Sequence, residues 1–376
     1  MIHSEAVRLF FARLAIEYSQ SGFNVMKYIL IVLSSFTILP LLTACGTASQ
    51  TESEAFSEGV DTVCRITDYH PCSNVSNYFP RKGDKVAVLS PSAYPSTKQR
   101  EATVNALKLL GYVPVEGTYT VGSLRTVENI AEDILWALED KDIKAIVCVR
   151  GGAGSSEVLD YMGLEPIIAG GKLIVGFSDI TTYLSAWTIS GHLSIHGSTS
   201  GFNVNDEGWS DVLNHMMQGE IPTYHCEGSS HDKEGTAEGI LIGGNLSVLL
   251  SVIGTAYDPT RIDQPYILFL EDTEEDIEHI HRYLTVLKHL GILNNAAGLI
   301  FGQWTDIPGA GCYNGNSRGG EFQGMANMID RQFLNDLNIP VAFGFPSGHS
   351  DINYPLLMGS TAKLTVTDNS YTIEFK

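Results

Sequence analysis

The sequence predicts an α/β protein: an N-terminal α/β domain with a mostly parallel sheet, followed by a β-rich C-terminal domain. Three observations carry this. Short apolar, β-branched runs at Lys85–Leu89, Ile143–Val149 and Lys172–Gly176 alternate with helical spacing at Lys98–Leu110 and Val127–Leu138, the pattern of strands joined by helical crossovers. A chain of 376 residues with 44% hydrophobic content can bury a large core and divides more naturally into two domains than one. Between residues 206 and 236 the composition turns polar and glycine-rich, which reads as a linker between them.

The chain opens with an export signal. Met26-Lys27-Tyr28 precedes an apolar run from Ile29 to Leu42, and Leu42-Thr43-Ala44-Cys45 follows. A basic start, a short apolar core and small residues before a cleavage point define such signals, and the run is shorter than the ~20 apolar residues a membrane span needs. The cysteine after Leu-Thr-Ala resembles a bacterial lipobox, so residues 1–45 read as an export signal with a lipobox, with Met26 as the true start and Cys45 lipidated to become the mature N-terminus. Residues 46–81, rich in Ser, Thr, Glu and Gly, read as a flexible tether between lipid and folded body. The expected location is a membrane surface facing the periplasm or the cell exterior. There disulfides persist, and the sequence nominates Cys64 and Cys72, which flank a short loop, as a pair. Cys148, inside an apolar strand, reads as an inert core residue. The net charge of −20 and the lack of clustered cations speak against nucleic acid as a partner.

The N-terminal domain, residues 82–205, offers two strand ends with chemistry. One is Arg150-Gly151-Gly152-Ala153-Gly154, where glycines let backbone amides approach a ligand; it has neither the Lys-Ser/Thr of a P-loop nor a full Gly-x-Gly-x-x-Gly pattern. The other is Gly176-Phe177-Ser178-Asp179, a sharp strand-to-helix turn leading into Ile180, Tyr183, Leu184 and Trp187 at helical spacing. Such a turn projects a serine hydroxyl beside a helix N-terminus. Ser178 or Asp179 would also serve there simply as a helix cap. His196, at the end of the next strand, is alone more often structural than catalytic.

The C-terminal domain, residues 237–376, contributes Glu271 at the end of the apolar strand Tyr266–Leu270 and His349 after the turn Phe345-Pro346-Ser347-Gly348. A buried acid needs a partner, and a serine needs a base oriented by a third group. Ser178, His349 and Glu271 supply one candidate for each role. Glu275, His279 and His281 do not share one helical face, and His225 and His231 lack ligand spacing, so no metal is expected.

Taken in order, Arg150-Gly151-Gly152, Gly176-Phe177-Ser178-Asp179, Gly243-Gly244-Asn245-Leu246-Ser247, Leu270-Glu271-Asp272 and Gly348-His349 resemble the motif series of the LD-carboxypeptidase family, which also contains the microcin C immunity peptidases. The resemblance runs from Lys82 to the C-terminus. It implies a serine peptidase with Ser178 as nucleophile, His349 as general base and acid, and Glu271 orienting the imidazole. It further implies an oxyanion hole from the backbone amides of Gly152 and Asp179, and an active site at the interface of the two domains. Arg150, Gly151 and His196 are expected to bind substrate, and no cofactor is needed. The implied reaction removes a terminal D-amino acid from murein-derived peptides. Two alternatives are a peptidase of acyl-nucleotide substrates, which His196-Gly197 and the lack of a clear aromatic platform disfavour, and a non-catalytic peptide-binding lipoprotein. The chain departs from the family at Ser198, where a proline is common, and at His281, where an aspartate is common. The sequence leaves a homodimer open.

Overall fold

Local sequence explains most element boundaries. The computed structural model describes residues 64–71, 78–121, 125–199, 208–307 and 324–376. After β1 (Cys64–Pro71) and β2 (Lys85–Leu89), a capping box opens α1 (Thr97–Leu109), with Ser96 and Gln99 exchanging side-chain and backbone hydrogen bonds. Such a box satisfies two amide donors that the first helical turn leaves free. β3 (Val113–Glu116) leads to α2 (Val127–Glu139), capped by Thr126, then β4 (Ile143–Cys148), α3 (Ser155–Met162), α4 (Glu165–Gly170) and β5 (Leu173–Gly176). A single 3-10 turn over Ser178–Ile180 feeds α5 (Thr181–Ile189), and β6 (Ser194–His196) follows. Next come α6 (Trp209–Met217), β7 (Glu220–Glu227), β8 (Gly235–Asn245), α7 (Leu246–Val252), β9 (Tyr266–Thr273), α8 (Ile277–His289), α9 (Ile292–Asn295) and β10 (Gly298–Thr305). The chain closes with α10 (Met325–Ile329), β11 (Val341–Phe343), β12 (Leu356–Met358), β13 (Thr361–Val366) and β14 (Ser370–Phe375).

Two sheets result. One runs β12-β6-β5-β4-β2-β3, parallel except for β12; the other runs β1-β7-β14-β13-β8-β9-β10-β11. In the second, β8 to β11 are parallel and the strands from β1 to β8 pair antiparallel. The all-apolar reading of β2, β4 and β5 follows from position, since central parallel strands are covered on both faces. One hydrophobic core runs from the six-stranded sheet into one face of the eight-stranded sheet; a second lies around β9, β10 and α8.

α5 is buried over its whole length from Thr181 to Thr188, wider than the one-face spacing of Ile180, Tyr183, Leu184 and Trp187 implied. Its hydroxyls are satisfied: Ser185 donates to the Thr181 carbonyl at 2.8 Å, and Thr182 accepts from Ser155 at 2.9 Å. Thr181 Oγ1 accepts the Asn245 amide at 3.1 Å. The helix behind Ser178 is thereby bolted to the last residue of β8, in the other sheet.

Four sequence expectations need correction. The region 206–236 is not a linker, because it holds α6, β7 and the start of β8. Val212, Leu213, Met216 and Met217 form one buried face of α6, and Ile221, Tyr224 and Cys226 are buried on β7; flanking glycines and polar residues masked both periodicities. The span 46–81 is likewise not all tether, since β1 pairs with β7 from Cys64↔Cys226 to Pro71↔Glu220. A division at 205 and 237 is also crossed by the chain itself, because β12 forms the edge of the six-stranded sheet against β6. Cys64 is bonded to Cys226, not to Cys72; Cys72 and Cys45 lie outside the described residues. The cross-link joins residues 162 apart in sequence and fastens the edge strand that propensity alone fixes weakly. Cys148 is free and fully buried, with its thiol pKa pushed up by burial.

Peptide mapping under non-reducing conditions is expected to recover Cys64 linked to Cys226. Cys226→Ala is expected to lower unfolding free energy by about 2–5 kcal/mol, the usual loss for a native disulfide, read from the denaturant midpoint.

Candidate active site

The site gathers at the carboxyl ends of strands from both sheets, where open α/β sheets place ligands. β5 ends at Gly176, and the next turn holds Ser178 at φ 64°. A non-glycine residue in the left-handed region is strained and persists only when its surroundings enforce it. Here they do. Asp179, next in the chain, is buried; its carboxylate accepts the Ser92 hydroxyl at 2.5 Å and the Ser155 amide at 3.1 Å, and its carbonyl accepts from the Ser155 hydroxyl at 2.8 Å. Asp179 therefore caps α3, the helix that follows the glycine run, rather than the helix that follows Ser178. The capping reading was correct in kind and wrong in target, and it leaves the Ser178 hydroxyl without that duty.

Gly151 lies against this turn. A methyl group there would sit 2.8 Å from Ser178 Cβ and 3.1 Å from the Asp179 amide nitrogen, so only glycine permits the approach. The Gly151–Gly152 backbone and the Asp179 amide thus flank Ser178, a layout able to donate to an oxygen bearing developing negative charge. Arg150 is half-buried, and its Nε donates to the Gly151 carbonyl at 3.3 Å, which braces the run.

From the other sheet comes Glu271, with no exposed surface. Its Oε2 accepts from His349 Nδ1 at 2.8 Å. Phe177 packs its ring 4.9 Å from that of His349, so the residue preceding Ser178 touches the imidazole. Gly348 permits the pairing, since a Cβ there would lie 2.9 Å from Glu271 Oε2. Burial would raise the Glu271 pKa, but the imidazoles of His196 and His349 outweigh it and hold the carboxyl below its ordinary value. Burial would lower His349; the bond and charge of Glu271, with the charges of Asp272 and Glu274, win and hold it above its ordinary value.

His196 is not where a substrate-binding residue would be. It is fully buried, in register with Gly176 on β5 and Leu356 on β12, and walled by Phe177 and Phe269 at ring separations of 6.0 and 5.1 Å. Its Nε2 lies 3.8 Å from Glu271 Oε1. This removes His196 from the substrate pocket and, with it, the argument that His196-Gly197 selects the substrate branch.

Asp272, the last residue of the Leu270-Glu271-Asp272 motif, has partners of its own. Successive strand residues face opposite ways, so it points away from Glu271 toward α7. It accepts from Asn245 Nδ2 at 2.8 Å, from the Ser247 amide at 2.9 Å and from its neighbour's amide, Thr273, at 2.9 Å. Burial chiefly raises its pKa; the Thr273 amide opposes this, the Glu271 charge adds to it, and the result is about 6. The legible signal was the Glu-Asp pair ending an apolar strand, since two buried acids demand two sets of partners. Glu275 and His279 lie 3.2 Å apart, while His281 turns to Gln332. Among the described residues no group of three or more His, Cys, Asp or Glu is placed to hold a metal ion.

A two-sheet α/β fold with a strained serine turn on one sheet and a buried Glu–His pair on the other defines a hydrolase-like site. Comparison with known proteins places it more narrowly. Residues 86–197 match the LD-carboxypeptidase N-terminal domain and residues 238–364 the LD-carboxypeptidase C-terminal domain; the chain belongs to the LD-carboxypeptidase family, and its relatives are peptidases. It is 31% identical over 288 residues to a Synechocystis protein named as a carboxypeptidase, covering 75% of this chain and 91% of that one. It is 28% identical over 307 residues to the murein tetrapeptide carboxypeptidase of Pseudomonas aeruginosa, covering 74% and 92%. The crystal structure of muramoyltetrapeptide carboxypeptidase from Oxalobacter formigenes shares the fold with a TM-score of 0.67 at 24% identity, over 77% of this chain and 98% of that one.

Gly151→Ala is expected to fold and to lose hydrolytic rate by about 10²-fold, because displacement of a reacting group by an ångström costs that much. Circular dichroism and the peptidase assay below check both halves.

Proposed function

We propose that this protein is a serine-type LD-carboxypeptidase that removes the terminal D-amino acid from murein tetrapeptides. The observation that carries the reading is the Glu271–His349 bond at 2.8 Å, formed against the phenylalanine that precedes a strained Ser178. The names of the murein peptide relatives support the substrate class.

In this reading Ser178 Oγ attacks the carbonyl carbon of the bond between the L-centre and the D-residue. With Nδ1 committed to Glu271, His349 Nε2 takes the serine proton, and the amides of Gly152 and Asp179 hold the oxyanion. Collapse breaks the C–N bond, His349 returns the proton to the leaving amine, and the free D-amino acid departs. Water then attacks the Ser178 ester by the same route in reverse, releasing the tripeptide. Glu271 keeps the imidazole in one tautomer and stabilises its positive charge. Arg150 and Gly151 line the approach to Ser178 and bind substrate through their backbone. The acyl-nucleotide reading is less well supported: Trp209 and Trp304, the candidates for a base platform, are half-buried and pack against the two hydrophobic cores.

The soluble body, incubated with muropeptides ending in D- or L-alanine and with an acyl-sulfamoyl adenosine, is expected to release D-alanine alone, as read by mass spectrometry. Ser178→Ala is expected to fold and to lose turnover by at least about 10³-fold; retained turnover overturns the assignment. A base must be neutral to accept a proton. Because His349 is held above its ordinary value, the acid limb of kcat/KM is expected to have its midpoint above about 6.5, the usual histidine value, with activity falling as pH drops through it.

We also propose that the chain is exported and anchored through a lipid on Cys45, facing the periplasm or cell exterior. The lipobox-like Leu42-Thr43-Ala44-Cys45 supports this, as does the Cys64–Cys226 disulfide, since such bonds persist mainly outside the cytosol. Full-length protein made in a bacterial host is expected to incorporate radiolabelled palmitate, and Cys45→Ser to incorporate none; equal labelling overturns the anchor.

A further inference from the structure

Glu271 has two carboxylate oxygens, and the triad uses one. Oε2 meets His349. Oε1 is buried and has no hydrogen-bond partner, and neither has His196 Nε2, which faces it at 3.8 Å. The gap is about 1 Å longer than an ordinary hydrogen bond. Two complementary polar atoms facing each other in a site with no exposed surface are costly apart and favourable together.

We infer that His196 is a positioning residue: its Nε2–H faces Glu271 Oε1 and fixes the carboxylate so that Oε2 is presented to His349 Nδ1. The inference rests on the triad reading above. The opposite edge of the ring sets the tautomer. His196 Nδ1 lies 3.4 Å from the Ser347 hydroxyl; that hydroxyl has one proton, and when it is given to Nδ1 the imidazole proton sits on Nε2, the side that faces a carboxylate oxygen able only to accept. The other acceptor in reach of that proton, Asn353 Oδ1 at 3.2 Å, already accepts the Gly348 amide at 3.3 Å, which leaves the hydroxyl free to turn to Nδ1. The turn that carries His349 is therefore tied to His196 as well as to Glu271. With Phe177 and Phe269 on its faces and backbone pairing on both edges of β6, the imidazole has no freedom to turn away.

His196 does not touch substrate in this scheme. It acts through Glu271, which a bare packing role would not do. The side chain of glutamine carries an N–H to the position of Nε2, whereas asparagine reaches only the position of Nδ1 and leucine supplies no donor. His196→Leu and His196→Asn are expected to lose kcat on the order of 10–100-fold, the usual cost of losing a partner that orients a working ligand, with KM within about twofold. His196→Gln is expected to recover most of it. The charges facing His349 come from Glu271, Asp272 and Glu274, and the first dominates. A Glu271 free to rotate therefore moves the acid limb of kcat toward lower pH in the leucine and asparagine variants and leaves it in place in the glutamine variant. The far-downfield proton resonance of the His349 Nδ1–H···Glu271 bond, observed without substrate, is expected to survive only in the parent and His196→Gln.

A folded His196→Leu with the parent's limb and resonance overturns the inference. Should the leucine variant not fold, equal behaviour of the glutamine and asparagine variants overturns it equally. Glu271→Gln, run alongside, separates the two levels. If it keeps turnover or the resonance, the triad reading falls and this inference falls with it. If it loses both while His196→Leu keeps both, only the role of His196 falls.

Discussion

The constraint around which this structure is arranged is a carboxylate with no exposure to water. A charge at such depth is costly unless groups of complementary character face it, and those that face Glu271 come from distant parts of the chain. His349 reaches it from a turn 78 residues later, and His196 faces it from the other sheet. Satisfying one buried acid therefore forces the two sheets into a single register. The next residue repeats the demand on the opposite face, where Asp272 fixes Asn245 and Ser247 at the head of α7. The strained backbone at Ser178 stands on the same foundation, because α5 behind it is held by the Asn245 amide.

The parts legible in the sequence were those with a strong local signature. β2, β4 and β5 read as apolar runs because central parallel strands are covered on both faces, and α1 and α8 were closed by Gly111 and Gly291. Ser178, Glu271 and His349 stood out because each occupies a strand end, and a polar group there is either exposed or partnered. The geometry brings Glu271 and His349 together and packs Phe177, the residue before Ser178, against the His349 ring.

What escaped was whatever depends on contacts remote in sequence. β1 has little apolar patterning and exists through its pairing with β7, so its polar neighbours made the span look like a tether. The Cys64–Cys226 bond closes 162 residues, and no spacing rule points to it; adjacency along the chain favoured Cys72 instead. α6 and β7 carry good periodicities but short ones, and glycines on both sides weighed more. His196 was assigned to substrate through the resemblance of His196-Gly197-Ser198 to a family motif, which says nothing of burial. Its burial comes from Phe177, Phe269 and Glu271 packed against the ring, while β12, arriving 160 residues later, closes the edge of β6 (Leu356 pairs with His196).

That late strand has a mechanical meaning. The chain leaves the eight-stranded sheet at Phe343, the end of β11, displays His349, and enters the six-stranded sheet at Leu356, the start of β12. The segment is a crossbar fixed at both ends, with the imidazole mounted on its span. A change in the separation of the sheets loads this segment, and with it the contact of the imidazole with Glu271. The frame that mounts the imidazole is therefore anchored in both sheets at once.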